Sequence, residues 1–312
     1  MMSGFSRLGA LGLLTAGALL SATACSSGTT EVAPAADGKP EVVAAFYPLQ
    51  WLTEQVGGSD VHVTGLTAPG VEPHDLELGL QQVSDLQDAA LTVYVKGVQP
   101  AVDDAVDQGK SFDAATAVTT IPAGEHEGEG EHGQEEEHGH EEVGYDPHLW
   151  LDPSRMATVA TELGERLAAA DAAHAQGYKD RAARTAATLT GLDQEFGKGL
   201  GICTTRTLVT AHEAFGYLAD RYKLKQVGIT LDPETEPSPA RLSEVAKLAK
   251  AERVTTIFTE ALVSPKVAEV LANEVGARTA VLDPLESNPS GDYVSAMRDN
   301  LKTLQTALGC TA

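Results

Sequence analysis

The sequence predicts an α/β protein of two β/α lobes, each with a central, mostly parallel sheet, joined by one long rigid connector helix. Three observations lead to this fold class. Short apolar runs alternate with helical stretches before residue 122, and the same alternation returns after residue 206. Between the two blocks, residues 171–199 carry apolar side chains at helical spacing. Because alternating strands and helices are typical of parallel β/α units, two such blocks predict two lobes.

The first lobe is predicted over residues 41–170. Pro48 begins a helix that ends at Gly57, as proline and glycine commonly do at helix termini. Ser84-Asp85-Leu86-Gln87 has the spacing of a capping box and predicts another helix start. From Ser154 onward, apolar side chains recur at intervals of three and four, which predicts a further helix. Four short apolar runs are the predicted strands: 41–46, 61–66, 91–95 and 117–121.

The connector helix is predicted over residues 171–199 and the second lobe over residues 200–312. The connector has an apolar stripe on one face, and glycines follow it. The stripe consists of Tyr178, Ala182, Thr185, Leu189, Leu192 and Phe196. The predicted strands of the second lobe are 207–210, 226–229, 255–259 and 279–282. Its predicted helices are 214–222, 241–250, 265–275 and 293–308.

The N-terminal region has the pattern of an export signal. Arg7 precedes an apolar run of 13 residues, which is too short to span a membrane, and Ala22-Thr23-Ala24 then leads to Cys25. Small residues at this point fit ordinary secretion, but a cysteine at the cleavage point favours a lipoprotein with Cys25 lipidated. We therefore expect a signal peptide over 1–24, a flexible tether over 25–40, and a chain anchored to the outer face of the cytoplasmic membrane.

An acidic tract, residues 125–142, contains nine Glu and four His. Almost nothing in it could enter a core, so we expect a disordered insertion over residues 123–143. The simplest interpretation is a solvated loop without a role, although histidines among carboxylates also bind transition metals weakly. The auxiliary candidates are His126, His132, His138 and His140. The formal net charge of −23 argues against nucleic acid as a partner, because phosphate binding needs a basic face.

Two cysteines remain once Cys25 is assigned to lipid. Export places Cys203 and Cys310 in an oxidising compartment, where an even pair favours a disulfide. The alternative is two unpaired thiols, one of them close to the C-terminus.

Four residues are candidate metal ligands. His74, His212 and Asp283 each follow a predicted strand, and His148 lies between two proline-restrained turns. Ligands bind at the carboxyl ends of strands in open α/β sheets, so two facing lobes predict a metal site in the interlobe cleft. Three imidazoles and one carboxylate suit tetrahedral Zn²⁺, whereas Mn²⁺ usually has more oxygen ligands.

Several acidic residues near these candidates could support them. Asp146, Asp152 and Glu213 are candidates to accept the second ring N–H of a ligating histidine and so to fix its tautomer. Glu72 and Glu260 could be ligands, but a supporting role fits them better. A single loop histidine is more often exposed or structural than a ligand, and we assign His62 and His174 in that way.

Five motifs, in this order along the chain, together resemble a known family: GVEPHD (70–75), DPHLWLDP (146–153), AHEAFGY (211–217), ETEPS (234–238) and LDPL (282–285). They resemble the zinc and manganese solute-binding proteins of bacterial ABC transporters, of the ZnuA type (cluster A-I). The resemblance implies the two-lobe fold and the ligand role of His74, His148, His212 and Asp283. Manganese members usually have a glutamate at the position of His212, so this histidine and the His-rich insertion indicate Zn(II) as the transported ligand.

The resemblance further implies delivery of the metal to an ABC permease and its ATPase, with the binding protein expected as a monomer. A manganese or broad-specificity importer component is the alternative within this class. From another class, an exported zinc hydrolase would need an open coordination position and a positioned acid or base. Four protein ligands would close the coordination sphere and the sequence has no HExxH pair, so we expect no enzyme. An adhesin role has no residue in its favour.

Overall fold

The computed structural model of the protein describes residues 38–123 and 143–311, which belong to one compact unit. The predicted signal peptide, Cys25, nearly all of the tether and nearly all of the His/Glu-rich insertion lie outside the described residues. In the two described ranges, no helix combines the length and the apolar character needed to cross a membrane.

The first half contains a parallel sheet of four strands in the order β2-β1-β3-β4. Its strands are β1 (Glu41–Ala44), β2 (His62–Gly65), β3 (Leu91–Tyr94) and β4 (Ser111–Asp113). The connecting helices are α1 (Tyr47–Gly57), α2 (Leu80–Asp88) and α3 (Pro100–Ala105). Strands β1 and β3 are buried along almost their whole length, as the apolar runs in the sequence predict for a parallel sheet.

The second half repeats this topology, with a parallel sheet in the order β6-β5-β7-β8. Its strands are β5 (Thr207–Thr210), β6 (Lys225–Gly228), β7 (Thr256–Thr259) and β8 (Arg278–Val281). Helices α6 (Gly216–Tyr222), α7 (Pro239–Ala251) and α8 (Lys266–Val275) connect these strands. The fold class predicted from the sequence, α/β with two mostly parallel sheets, is therefore confirmed.

Three longer helices complete the chain: α4 (Pro153–Ala170), α5 (Ala175–Gly199) and α9 (Tyr293–Leu308). Asp152 accepts hydrogen bonds from the Ser154 and Arg155 N–H groups and so caps α4, whose first residue is a proline. Every member of the apolar stripe predicted for the connector is buried in α5. Gly164 lets α4 approach α5 closely, because an added Cβ there would lie 2.6 Å from the Ala182 Cβ.

Helix α5 is bonded to both halves. The Arg181 guanidinium donates to the Val56 and Gly57 carbonyl oxygens at the end of α1, each at 2.7 Å. Near its other end, Glu195 accepts two hydrogen bonds of 2.8 Å from Arg298 on α9. The connector is thus a long helix, as predicted. The domain boundaries at 170/171 and 199/200 stay a prediction.

Two local predictions are wrong. Helix α2 begins at Leu80, four residues before the predicted capping box, and the Gly79 N–H at its start donates to the Gln82 side chain at 2.8 Å. The fourth strand lies at Ser111–Asp113 rather than at 117–121. Asp113 accepts from the Ala115 N–H and turns the chain into a short 3-10 helix, which ends the strand.

The predicted disulfide between Cys203 and Cys310 is present. It joins the segment after α5 to the second residue after α9, across a sequence separation of 107. The C-terminal helix is therefore covalently attached to the start of the second half.

Candidate metal centre

Four side chains meet at one point: His74, His148, His212 and Glu286. One ligand-type atom of each lies within 4.8 Å of the others. Glu286 Oε1 is 3.5 Å from His74 Nε2, and it is 3.7 Å from Nε2 of both His148 and His212. The three imidazole rings have centroids 5.3 to 6.1 Å apart. The described residues contain no other group of this kind.

The fold explains why these residues converge. His74 lies on the loop after β2, His212 is the second residue after β5, and Glu286 lies on the loop after β8. His148 precedes a short 3-10 helix, Leu149–Leu151, which leads into α4. In each sheet the contributing loops leave the carboxyl ends of parallel strands, where α/β proteins bind their ligands.

Two of the histidines are oriented by buried carboxylates. Asp146 accepts from the His148 backbone N–H at 2.9 Å and lies 2.7 Å from its Nδ1. Glu260 has the same relation to His212, with distances of 3.1 Å to the backbone N and 2.7 Å to Nδ1. A carboxylate at Nδ1 keeps the proton on that nitrogen, so Nε2 is available as a metal ligand in both rings.

The donor set fits a cation. Nε2 of His74, His148 and His212 and Oε1 of Glu286 are buried atoms without a hydrogen-bond partner. Buried polar atoms without a partner are costly, and one cation would satisfy all four. In a tetrahedral zinc site with bonds of about 2.0–2.1 Å, neighbouring ligand atoms are about 3.4 Å apart. The distances of 3.5–3.7 Å from Glu286 to the histidines are close to this value.

The electrostatics of the cluster describe an ion-paired site. Burial lowers the pKa of His212, but the hydrogen bond and charge of Glu260, with the charges of Glu286 and Glu72, outweigh burial and raise the pKa to about 9. Burial also lowers the pKa of His74, and Glu286 and Glu72 raise it above its ordinary value. Burial raises the pKa of Glu286, yet the histidines bring it below its ordinary value. A bound divalent cation would therefore displace protons from imidazole.

Glu72 lies beside the cluster. Its Oε1 accepts from the His74 backbone N–H at 3.4 Å, and its Oε2 is buried without a partner. Burial and the charge of Glu286 raise the pKa of the Glu72 carboxyl to about 7. Glu72 and His212 also line a cavity of ≈520 Å³ between the loops that follow β5, β6 and β7.

The three predicted histidines are brought together, but Asp283 is not the fourth member of the cluster. Glu286, three residues later, takes that place. Asp283 Oδ1 accepts instead from the Leu285 N–H at 2.8 Å, and Asp283 lines a separate cavity of ≈220 Å³ with Glu260 and Glu286. The sequence contains both acids in one loop, and the choice of Asp283 followed from its position directly after the strand.

Of the three predicted supporting carboxylates, one contacts a histidine of the cluster and two bond elsewhere. Asp146 lies where the sequence predicts it, at the second nitrogen of His148. On His212 that place is taken by Glu260, one of the two acids expected to support the site. Asp152 caps α4 and pairs with Arg155. Glu213 accepts from the Gly228 N–H at 3.2 Å. The auxiliary histidines His126, His132, His138 and His140 lie outside the described residues.

Residues 42–307 match the family described as zinc-uptake complex component A, periplasmic (ZnuA). The chain is 36% identical over 283 residues to the zinc-binding lipoprotein AdcA of Streptococcus pneumoniae, which covers 86% of this chain and 56% of AdcA. The chain therefore spans about half the length of the curated AdcA relatives that it matches. It is also 33% identical to a putative metal-binding protein of Treponema pallidum, over 94% of each chain.

Solved structures agree with this relationship. The laminin-binding protein Lmb of Streptococcus agalactiae superimposes with a TM-score of 0.75 at 31% identity, over 86% of this chain and 99% of Lmb. The Zn(II)-bound ZnuA-like domain of S. pneumoniae AdcA gives a TM-score of 0.71 at 32% identity, over 87% of this chain and 99% of that domain. The match of the family to nearly the whole described chain, with two sheets and a histidine–glutamate cluster between them, shows that the chain belongs to the zinc-uptake complex component A (ZnuA) family.

Proposed function

We propose that the protein captures Zn(II) outside the cytoplasm and delivers it to the permease of an ABC importer, which an ATPase drives. The observation that carries this proposal is the set of four buried ligand atoms, from His74, His148, His212 and Glu286, that have no hydrogen-bond partner. Family membership and the Zn(II)-bound AdcA domain support zinc as the cargo. Glu286 replaces Asp283 in the proposed ligand set.

Zinc is favoured over manganese by the chemistry of the donors. Three imidazoles and one carboxylate match the ligands and the four-coordinate geometry that Zn²⁺ prefers. Manganese prefers more oxygen ligands, and selectivity for it would require a carboxylate in place of one histidine. Four protein donors also leave no open position for a water nucleophile, which supports a binding protein over a zinc hydrolase.

We further propose that the protein is a monomeric lipoprotein of two lobes. The AdcA relative is named a lipoprotein, which supports lipidation of Cys25 and anchoring of the protein at the outer face of the cytoplasmic membrane. The repeated topology supports lobes over residues 41–170 and 200–312 with the connector between them. We propose a monomer, since the four donors come from one chain.

The test is a competition titration of the metal-stripped protein with Zn²⁺ and Mn²⁺. We expect one tightly bound zinc that excess manganese does not displace. His212→Ala and Glu286→Ala each remove a donor to the metal. Loss of an outer supporting group lowers metal affinity about 10–100-fold, and each of these variants should lower zinc affinity by more than that. His174→Ala is the matched control, because His174 is half exposed and pairs with Asp171.

Preferential manganese binding would overturn zinc as the cargo. Tight zinc in both His212→Ala and Glu286→Ala would overturn the ligand set. Any weaker zinc bound beyond one equivalent by the unchanged protein would belong to another part of the chain, and the variants His126→Ala and His132→Ala would test whether that part is the His/Glu-rich tract.

A further inference from the structure

The segment that carries Glu286 has an unusual backbone. In the Glu286 turn, defined as residues Leu282–Glu286, Leu285 has a φ of +62°. This left-handed region is unfavourable for a residue with a branched side chain and is normally occupied by glycine or asparagine. Leu285 is also fully buried, in the larger of two hydrophobic cores in the described residues. Surrounding contacts must therefore keep the turn in this conformation.

Those contacts are short and come from three sides. Asp283 Oδ1 accepts the Leu285 N–H at 2.8 Å, which closes the turn. Asn300 on α9 accepts from the Asp283 N–H at 2.9 Å and donates to the Asp283 carbonyl at 2.6 Å. Trp150 Nε1 donates to the Pro284 carbonyl at 2.7 Å. Each residue from Asp283 to Leu285 thus has a backbone group bonded to a side chain.

The turn is also connected to a second metal-site residue. Trp150 lies two residues after His148, and their rings have centroids 5.1 Å apart. The Trp150 carbonyl accepts the Tyr293 hydroxyl, at the start of α9, at 2.5 Å. The indole therefore spans from the histidine of the first half to the Glu286 turn of the second.

We propose that Asp283 is a positioning residue, which holds the Glu286 turn so that the Glu286 carboxylate is in place before the metal arrives. This inference rests on the proposed zinc-binding function and assigns a role to an acid that the metal cluster leaves out. Asp283 acts through the Leu285 N–H. Asn300 bonds the peptide units on both sides of Asp283, and Trp150 bonds the carbonyl of the Pro284–Leu285 peptide unit, whose N–H Asp283 accepts. The positioning role requires only an acceptor oxygen at residue 283. A role as metal ligand would also require the negative charge of the carboxylate.

The test compares zinc affinity in Asp283→Ala and Asp283→Asn. Asp283→Ala removes the acceptor, and we expect zinc to bind about 10–100-fold more weakly, as for other groups that orient a ligand. Asp283→Asn retains an acceptor oxygen, so we expect affinity close to that of the unchanged protein. Asp171→Ala is the matched control, because Asp171 also accepts an N–H two residues ahead, at 3.1 Å, but lies at the far end of α4.

A second measurement identifies the residue through which Asp283 acts. In a Glu286→Ala background, Asp283→Ala should have no further effect on zinc affinity, because the group that it positions is already absent. An additive loss there would overturn the proposal and indicate an independent role in the site. Equal losses in Asp283→Asn and Asp283→Ala would overturn it in favour of Asp283 as a ligand, and full affinity in Asp283→Ala would overturn it outright.

Crystal structures of the metal-free protein and of Asp283→Ala test the placement without zinc. The Glu286 carboxylate should point at the three histidines in the first structure and be displaced in the second. An undisplaced Glu286 in Asp283→Ala would contradict the proposal even if the variant is less stable. Absence of tight zinc in the unchanged protein would instead refute the proposed function, so the two failures are distinguishable.

Discussion

The two halves of the protein have the same strand order but distribute their buried side chains differently. In the first sheet, the buried apolar residues of β1, β3 and β4 belong to one large core that continues through α4, α5 and α9. In the second sheet, neighbouring residues separate by face. Leu208 and Phe258 belong to the large core, whereas Val209 and Ile257 belong to a small separate core beneath α7 and α8.

This difference places the metal centre with the large core. The chain next to each second-half ligand is anchored in the large core. Ala214 and Phe215 anchor it after His212, and Leu282 and Leu285 anchor it before Glu286. The small core contains none of the four cluster residues. Local stability varies across a structure with the extent of buried apolar contact. We therefore expect α7 and α8 to unfold locally while the metal centre stays folded.

The largest expected effect comes from the same cavity-creating change in each core. Leu189→Ala on α5 and Leu271→Ala on α8 each remove a buried leucine side chain, at 0% and 2% exposure, and such changes cost about 2–5 kcal/mol. We expect Leu189→Ala to lower the midpoint of global unfolding and the protection of amides throughout. Leu271→Ala should lower the protection of α7 and α8 and leave zinc affinity unchanged. Hydrogen exchange of the zinc-loaded protein measures the protection, thermal unfolding gives the midpoint, and a zinc titration gives the affinity.

If the two variants give the same exchange pattern, the large and the small core do not differ in local stability. Uniform loss of protection in Leu271→Ala would mean that the small core unfolds only with the whole protein. Loss of zinc affinity in Leu271→Ala would mean that the metal centre depends on both cores.

A smaller effect is expected from the carboxylates that orient one histidine in each half. Asp146 supports His148 from two residues away, within one turn. Glu260 supports His212 from 48 residues away and joins the ends of β5 and β7. Asp146→Ala and Glu260→Ala should each lower zinc affinity about 10–100-fold. Only Glu260→Ala should also lower the midpoint of thermal unfolding substantially, because it removes a contact between two strands.

Calorimetric zinc titration and thermal unfolding of the metal-free variants check this pair. Asp146→Asn and Glu260→Gln serve as matched controls that retain an acceptor oxygen. If Asp146→Ala destabilises the metal-free protein as much as Glu260→Ala does, the distinction between local and long-range support is wrong.

The same distinction explains what could be predicted from the sequence. The α5 stripe from Tyr178 to Phe196 follows from helical spacing, and Asp146 could be assigned to His148 because the two are neighbours in one turn. Glu260 was expected to support the site, but its pairing with His212 depends on the β5–β7 strand order, which the sequence does not determine.

Glu286 could not be chosen over Asp283 for a related reason. The loop after β8 contains both acids, and which of them reaches the histidines depends on the left-handed conformation of Leu285. A leucine gives no signal for such a turn, since glycine or asparagine is the usual residue there. The three-residue strand β4 was missed because its apolar signal is a single buried residue, Phe112.

The smallest expected effect is a pH dependence with opposite signs for folding and for zinc binding. The pKa of His212 is raised from 6.5 to about 9 in the metal-free protein, so the stabilisation from its protonated form is complete below pH 6.5. That stabilisation is lost as the pH rises through about 9. Zinc needs the neutral imidazole, so zinc affinity should rise over the same range while the metal-free protein becomes less stable.

The measurement is made between pH 6.5 and 8 with unfolding midpoints of the metal-free and zinc-loaded protein. The gap between the two midpoints should widen with pH, and calorimetry in buffers of different ionisation enthalpy should detect protons released on zinc binding. Glu260→Gln is the informative variant, because removal of the carboxylate charge lowers the pKa of His212 and should reduce the proton release near neutral pH. Equal proton release with and without the Glu260 charge would contradict this account and assign the protons to other groups at the site, such as His74 and Glu72, whose pKa values are also raised.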